Sequence, residues 1–157
     1  MLRSFIFLLS LFFITFIHAK ANLVTQSLLK DALLISRDSN GQSLFLCRAY
    51  LFGGMQIGTI SSESQHCILT YEGKIHYVTE FSIPNKMEFG LYTWSTKKGN
   101  AISVGTNSEG KPIYLCKSYF NGVLLSGTTW LGYNHCNVAY KGTELIADIT
   151  YILSSLR

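Results

Sequence analysis

The 157-residue chain has few charges and spreads them thinly. Asp, Glu, Lys and Arg make up 14% of it, and Lys97-Lys98 is its only adjacent basic pair. That leaves no basic stripe, which argues against nucleic acid or an anionic membrane as partner. C-x-x-C is absent, against both a zinc ribbon and a thioredoxin-like redox site. Nor is there an H-x3–5-H knuckle to give His66-Cys67 and His135-Cys136 the spacing of a structural metal site. G-x-S-x-G is missing, and with it the strained serine turn of many hydrolases. Carboxylates are few and mostly isolated (Glu63, Glu72, Glu80, Glu88, Glu109, Glu144, Asp148), so no two stand out as a glycosidase pair. The expectation is a protein that is not an enzyme and holds no cofactor or metal.

Only one long apolar run is present, and it lies at the N-terminus. Arg3 precedes thirteen apolar or small residues from Phe5 to Ile17, followed by Ala19-Lys20-Ala21. Such a run falls short of the roughly 20 residues a membrane helix needs. It has the layout of a secretory signal, with small side chains where the peptidase reads. Residues 1–21 are therefore expected to be removed, leaving a secreted or periplasmic protein with no membrane segment. The remaining residues 22–157 suit one domain.

Four cysteines follow, Cys47, Cys67, Cys116 and Cys136. An even count behind a signal reads as two disulfides in an oxidising compartment. Three connectivities are open, and all three respect a two-fold repeat. Locality favours Cys47–Cys67 and Cys116–Cys136.

The repeat is the dominant feature. Residues 31–73 align without gaps to residues 100–142 at an offset of sixty-nine, with thirteen of forty-three pairs identical. Glycines and cysteines are kept preferentially: Gly41/Gly110, Cys47/Cys116, Gly53/Gly122, Gly58/Gly127, Cys67/Cys136 and Gly73/Gly142. This is an internal duplication. Its copies span about 31–83 and 100–153, joined by 84–99. After Gly142 they drift, and the alignment leaves room for a small shift.

Asp38-Ser39-Asn40-Gly41 and Asn107-Ser108-Glu109-Gly110 read as tight turns inside a hairpin. Glu72-Gly73 turns a second hairpin. Between them, "MQIGTIS" and "LLSGTTW" read as strands carrying a central glycine at a bulge. About five short strands per copy give an all-β fold, a sandwich or prism with a pseudo-two-fold axis. "LFLC" and "IYLC" are apolar at consecutive positions, so these strands are buried on both faces. Val24–Lys30 is a short helix or another strand, and the connection holds a strand near Tyr92 and Trp94. Tyr50, Tyr119, Tyr92 and Trp94 are expected in the core. Trp130 faces Ser61 in the other copy, so its role lies outside the shared core.

The residues "ALLISRDSNGQSLFLCRA", "GGMQIG" and "CILTYEGKIH" in copy one carry a family resemblance. In copy two it rests on "WSTKKGNAISVGTNSEGKPIYLCKSY", "GVLLSG" and "CNVAYKG". The chain resembles the DM-nine repeat family of lectin-like proteins, whose module also heads natterin-like proteins. The resemblance implies a tandem-repeat lectin fold that binds glycans, typically of mannose type, without catalysis. It further implies sites built from an acid in the first hairpin turn and a lysine after the bulged-strand glycine. Those positions hold Asp38 and Thr59 in copy one, and Asn107 and Thr128 in copy two. Two weak repeat-related sites follow, with a homodimer left open. The alternative is a secreted interaction module or effector that kept the fold and lost the sugar site.

Overall fold

A computed structural model describes residues 26–156. The expected signal segment, residues 1–21, lies outside the described residues. Residues 26–29 are helical, which decides the reading of that stretch between helix and strand. The first copy supplies β1 (Leu34–Arg37), β2 (Ser43–Leu51), β3 (Gly54–Ser61), β4 (Cys67–Tyr71) and β5 (Lys74–Val78). A 3-10 turn at Lys86–Phe89 and β6 (Tyr92–Ser95) form the connection. The second copy supplies β7 (Ser103–Thr106), β8 (Pro112–Phe120), β9 (Val123–Trp130), β10 (His135–Tyr140) and β11 (Thr143–Asp148), and β12 (Tyr151–Ser155) follows.

The first five strands make one antiparallel sheet in sequence order. The second sheet runs β11-β10-β9-β8-β12-β6, with β7 also on β8. One edge of β8 is shared, β7 pairing with Pro112–Tyr114 and β12 with Cys116 and Lys117. Four of the hairpins turn on two residues that both have positive φ: Phe52-Gly53, Glu72-Gly73, Asn121-Gly122 and Lys141-Gly142. This is the type I′ turn, whose twist matches that of the flanking strands.

The offset of sixty-nine holds beyond Gly142 as far as Ser154, and no shift is needed. Cys67 opposes Val78 as Cys136 opposes Ala147. Arg48 bridges Ser82 as Lys117 pairs with Tyr151, and Ala32 bridges Asn85 as Ala101 bridges Ser154. What differs is continuity. The copy-one counterpart of β12 contains Pro84, which has no N–H to donate to a ladder. Asn85 then caps the 3-10 turn, its side chain accepting from Met87 N–H while Glu88 reaches back to the Asn85 N–H. The strand is therefore reduced to isolated bridges.

The sheets face one another across a core drawn from both copies: Leu33, Ile35, Leu46 and Ile57 with Val104, Ile113, Leu115 and Leu153. Burying each such side chain stabilises the fold by about 1.5–3 kcal/mol. Outside each sheet lies a smaller cluster around a disulfide, Cys47–Cys67 in one copy and Cys116–Cys136 in the other. Leu46 points into the shared core and Cys47 into the outer cluster, which accounts for the unbroken apolar run. The expected bulge at Gly58 and Gly127 is not formed: each lies in unbroken register, opposite Cys47 or Cys116. The glycines serve instead where the next strand folds across, since a Cβ there would collide with the backbone of Ile68 or Asn137. The aromatics are only partly where expected. Tyr92 and Trp94 pack against the shared core, but Tyr50 and Tyr119 are 71% and 59% exposed. Each is the next-to-last residue of its strand, β2 or β8, beside the turn that follows.

Candidate functional site

The two turn residues singled out by the sequence are built alike. Asp38 Oδ1 accepts from the N–H groups of Asn40 and Gln42, both at 2.9 Å. Asn107 Oδ1 accepts from Glu109 and Lys111 at the same distance. Each side chain thus shapes its own turn with one oxygen. Asp38 keeps its second carboxylate oxygen, which has no partner among the described residues; Asn107 keeps only an amide nitrogen.

Their surroundings are not alike. The turn that carries Asn107 packs directly on the β2–β3 turn. A Cβ on Gly54 would collide with the Thr106 carbonyl and with Asn107, and one on Gly105 would collide with Met55 and Ile57. Two glycines let β3 and β7 close up, and hydrogen bonds cross the seam. Met55 N–H donates to Thr106 Oγ1 at 3.3 Å, and Arg48 Nε donates to Val104 O at 2.8 Å. The repeat counterparts of Gly105 and Gly54 are Ser36 and Val123, on the side where β1 meets β9. With side chains at both positions the sheets stand apart there, joined by Ser126 Oγ donating to Ile35 O at 3.5 Å.

The gap is a cleft of about 390 Å³. Asp38, Thr59 and Thr128 line it together. Asn107 does not, so the structure brings three of the four candidate residues to one place and leaves the fourth against the closed seam. Thr59 comes from β3 and Thr128 from β9, so both copies contribute to one cleft.

Two cations also line it. Arg37 donates from Nη1 to Gly41 O at 2.9 Å, and Lys141 holds its ammonium 5.2 Å from the Tyr140 ring centroid. Their counterparts on the closed side are Thr106 and Glu72. Sequence reasoning overlooked both, since neither falls at a matched motif position. The available signal was that Arg37 and Lys141 each break the repeat's charge pattern. With a carboxylate, two cations and two hydroxyls over an apolar floor, the cleft can accept from and donate to a polyhydroxylated ligand.

Metal-type chemistry is not offered by the His-Cys pairs, because every described cysteine is in a disulfide and no thiolate is available. Lys117, the counterpart of Arg48, takes a different partner. Its ammonium lies 3.9 Å from the Trp94 ring centroid, and burial lowers its pKa below the ordinary lysine value. The expected Trp130 outlier is 43% exposed and stacks on Tyr133 at 3.9 Å with the rings 4° from parallel.

No match is found among curated proteins. The DM9 repeat matches residues 38–147, well over half of the chain, from the Asp38 turn through both disulfides to β11. That family is one of binding modules rather than catalysts and is consistent with a lectin-like role. The repeat, its two sheets and its paired turns all lead to one assignment: the chain belongs to the DM9 repeat family.

Proposed function

We propose that this chain is a secreted, non-enzymatic lectin-like protein that binds glycans of mannose type, with its principal site in the cleft at Asp38. The observation that carries the reading is the shared lining of Asp38, Thr59 and Thr128, with Arg37 and Lys141 beside them. A free carboxylate oxygen accepts from sugar hydroxyls, and charge-assisted bonds of that kind are about twice as strong as neutral ones. The Asn107 turn, with an amide and a closed seam, forms the weaker of two repeat-related sites. Secretion is supported by the two disulfides, which belong to an oxidising compartment. Among the described residues no helix is long and apolar enough to cross a membrane.

A glycan array probed with the secreted protein tests the reading. Binding to mannose-bearing glycans, inhibited by free methyl mannoside and reduced in Asp38→Ala, is the expected outcome. A blank array, with no inhibition by any free sugar, would replace it with a protein-interaction module.

A further inference from the structure

The β9–β11 face of the second copy carries an aromatic array that the first copy lacks. Trp130 lies two residues beyond Thr128 on β9, so both point to the same face. The turn Trp130-Leu131-Gly132-Tyr133 folds back, with Tyr133 N–H donating to Trp130 O at 3.1 Å, and sets one ring on the other. Gly132 at φ 81° supplies the left-handed step this turn requires. Tyr133 also meets His135 edge-on at 5.5 Å, and His135 Nδ1 lies 3.4 Å from the exposed Asp148 carboxylate.

The stack is held from behind. Tyr133 Oη donates to Asn137 Oδ1 at 3.0 Å, and Asn137 Nδ2 donates to Glu144 Oε1 at 3.0 Å. Glu144 in turn accepts from Gly73 N–H on the other sheet. Lys98 reaches over from the connection to Tyr133 O and Asn134 Oδ1, at 3.2 and 2.9 Å. In copy one the counterparts of Trp130, Tyr133, Asn137 and Glu144 are Ser61, Ser64, Ile68 and Ile75. Since copy one folds without any of them, the shared fold does not require this array.

We infer that the Trp130–Tyr133 stack is a further carbohydrate subsite, apart from the two repeat-related turns, taking a neutral pyranose unit of a glycan. This rests on the lectin reading above but uses residues outside the cleft at Asp38. Trp130 has no other ring partner among the described residues, so a sugar's apolar face can pack on the indole. His135 and Asp148 at the rim offer a donor and acceptors for its hydroxyls. Lys98 is already engaged, and the local carboxylates, Glu144 and Asp148, disfavour a uronic or sialic acid. Asn137 is shared between the array and the cleft, which lets one oligosaccharide reach both.

The test replaces both tryptophans with 5-fluorotryptophan and follows fluorine NMR, assigning the signals with Trp130→Phe. Mannotriose should shift the Trp130 signal saturably and leave Trp94 unmoved, while a trisaccharide ending in a uronic acid should bind more weakly. Trp130→Ala should weaken mannotriose about tenfold, the size of a small interface hot spot, without changing methyl mannoside binding. If Trp130→Ala binds mannotriose as well as the unmodified protein does, and Asp38→Ala does not, the subsite is wrong and the cleft reading stands. If no sugar perturbs either tryptophan or binds by calorimetry, both readings fall.

Discussion

Gly54 lies against Asn107 so closely that no side chain fits between them, whereas Val123 occupies the same place beside Asp38 in the other half of the repeat. Two exchanges, Gly54 for Val123 and Gly105 for Ser36, separate the tight seam from the cleft. The pseudo-two-fold symmetry of the strands therefore does not extend to the surface they build.

The tight seam should resist enlargement. Gly54→Val places a side chain into the backbone at Thr106 and Asn107, and overpacking of this kind costs about 1–3 kcal/mol. Val123→Gly removes a half-buried side chain at a seam already apart and should cost less, about 1 kcal/mol or below. Urea denaturation of the two variants measures the difference. Equal losses would mean that the seams are packed alike.

The two disulfides close loops of the same sequence separation, 20 residues, and all four cysteines are fully buried. In the chain-entropy model each should stabilise the fold by about 3 kcal/mol. Cys47→Ala with Cys67→Ala, and Cys116→Ala with Cys136→Ala, should therefore lose similar amounts in denaturant titrations. Non-reduced peptide mapping should recover only the two within-copy links. A peptide joining Cys47 to Cys116 would contradict the structure.

Much of this was legible in the residues. Glycine-bearing turns at Gly41, Gly73 and Gly110 fixed three hairpins, and the spacing of Cys47 and Cys67 from their counterparts gave the duplication. The turn at Phe52-Gly53 is hidden in the sequence, because phenylalanine seldom adopts positive φ and offers no turn signal of its own. Tyr50 and Tyr119 read as core residues by composition, but both stand next to last in their strands, where burial depends on tertiary packing that composition does not contain. The cleft was illegible for a different reason. It depends on which residues meet between copies: Gly54 with Asn107 and Gly105 with Met55 close one seam, while Ser36 and Val123 line the gap at the other, and no single-strand pattern contains such pairings.

Lys117 should leave a signature in alkaline solution. Burial against Trp94 lowers its pKa in the folded protein below the ordinary 10.5. Between the lowered folded value and the unfolded one, the unfolded chain binds more protons, so this group's contribution to stability rises with pH. Lys117→Met keeps the stem on the ring and removes the titration. The stability of the unmodified protein relative to this variant should increase as pH climbs towards 10.5, as urea titrations at stepped pH would read. A flat difference would mean that the ammonium is hydrated as freely as in the unfolded chain.

Sugar affinity should follow the charges of the cleft. Asp38→Ala removes the carboxylate with a free oxygen and should abolish most monosaccharide binding, whereas Asn107→Ala, beside the closed seam, should cost much less. Lys141→Met should weaken binding by removing a donor at the rim, by roughly 1.5–3 kcal/mol if the bond is charge-assisted. Thr59→Lys adds an ammonium to the cleft lining, and a charge-assisted donor there should strengthen mannose binding over a starting dissociation constant on the order of millimolar, about −4 kcal/mol. Titration calorimetry with methyl mannoside ranks the four variants. Equal losses in Asp38→Ala and Asn107→Ala would show two equivalent sites and remove the open cleft from the explanation. If the order Thr59→Lys, unmodified, Lys141→Met, Asp38→Ala is found, affinity is set by how many charged groups can reach a ligand between β1 and β9.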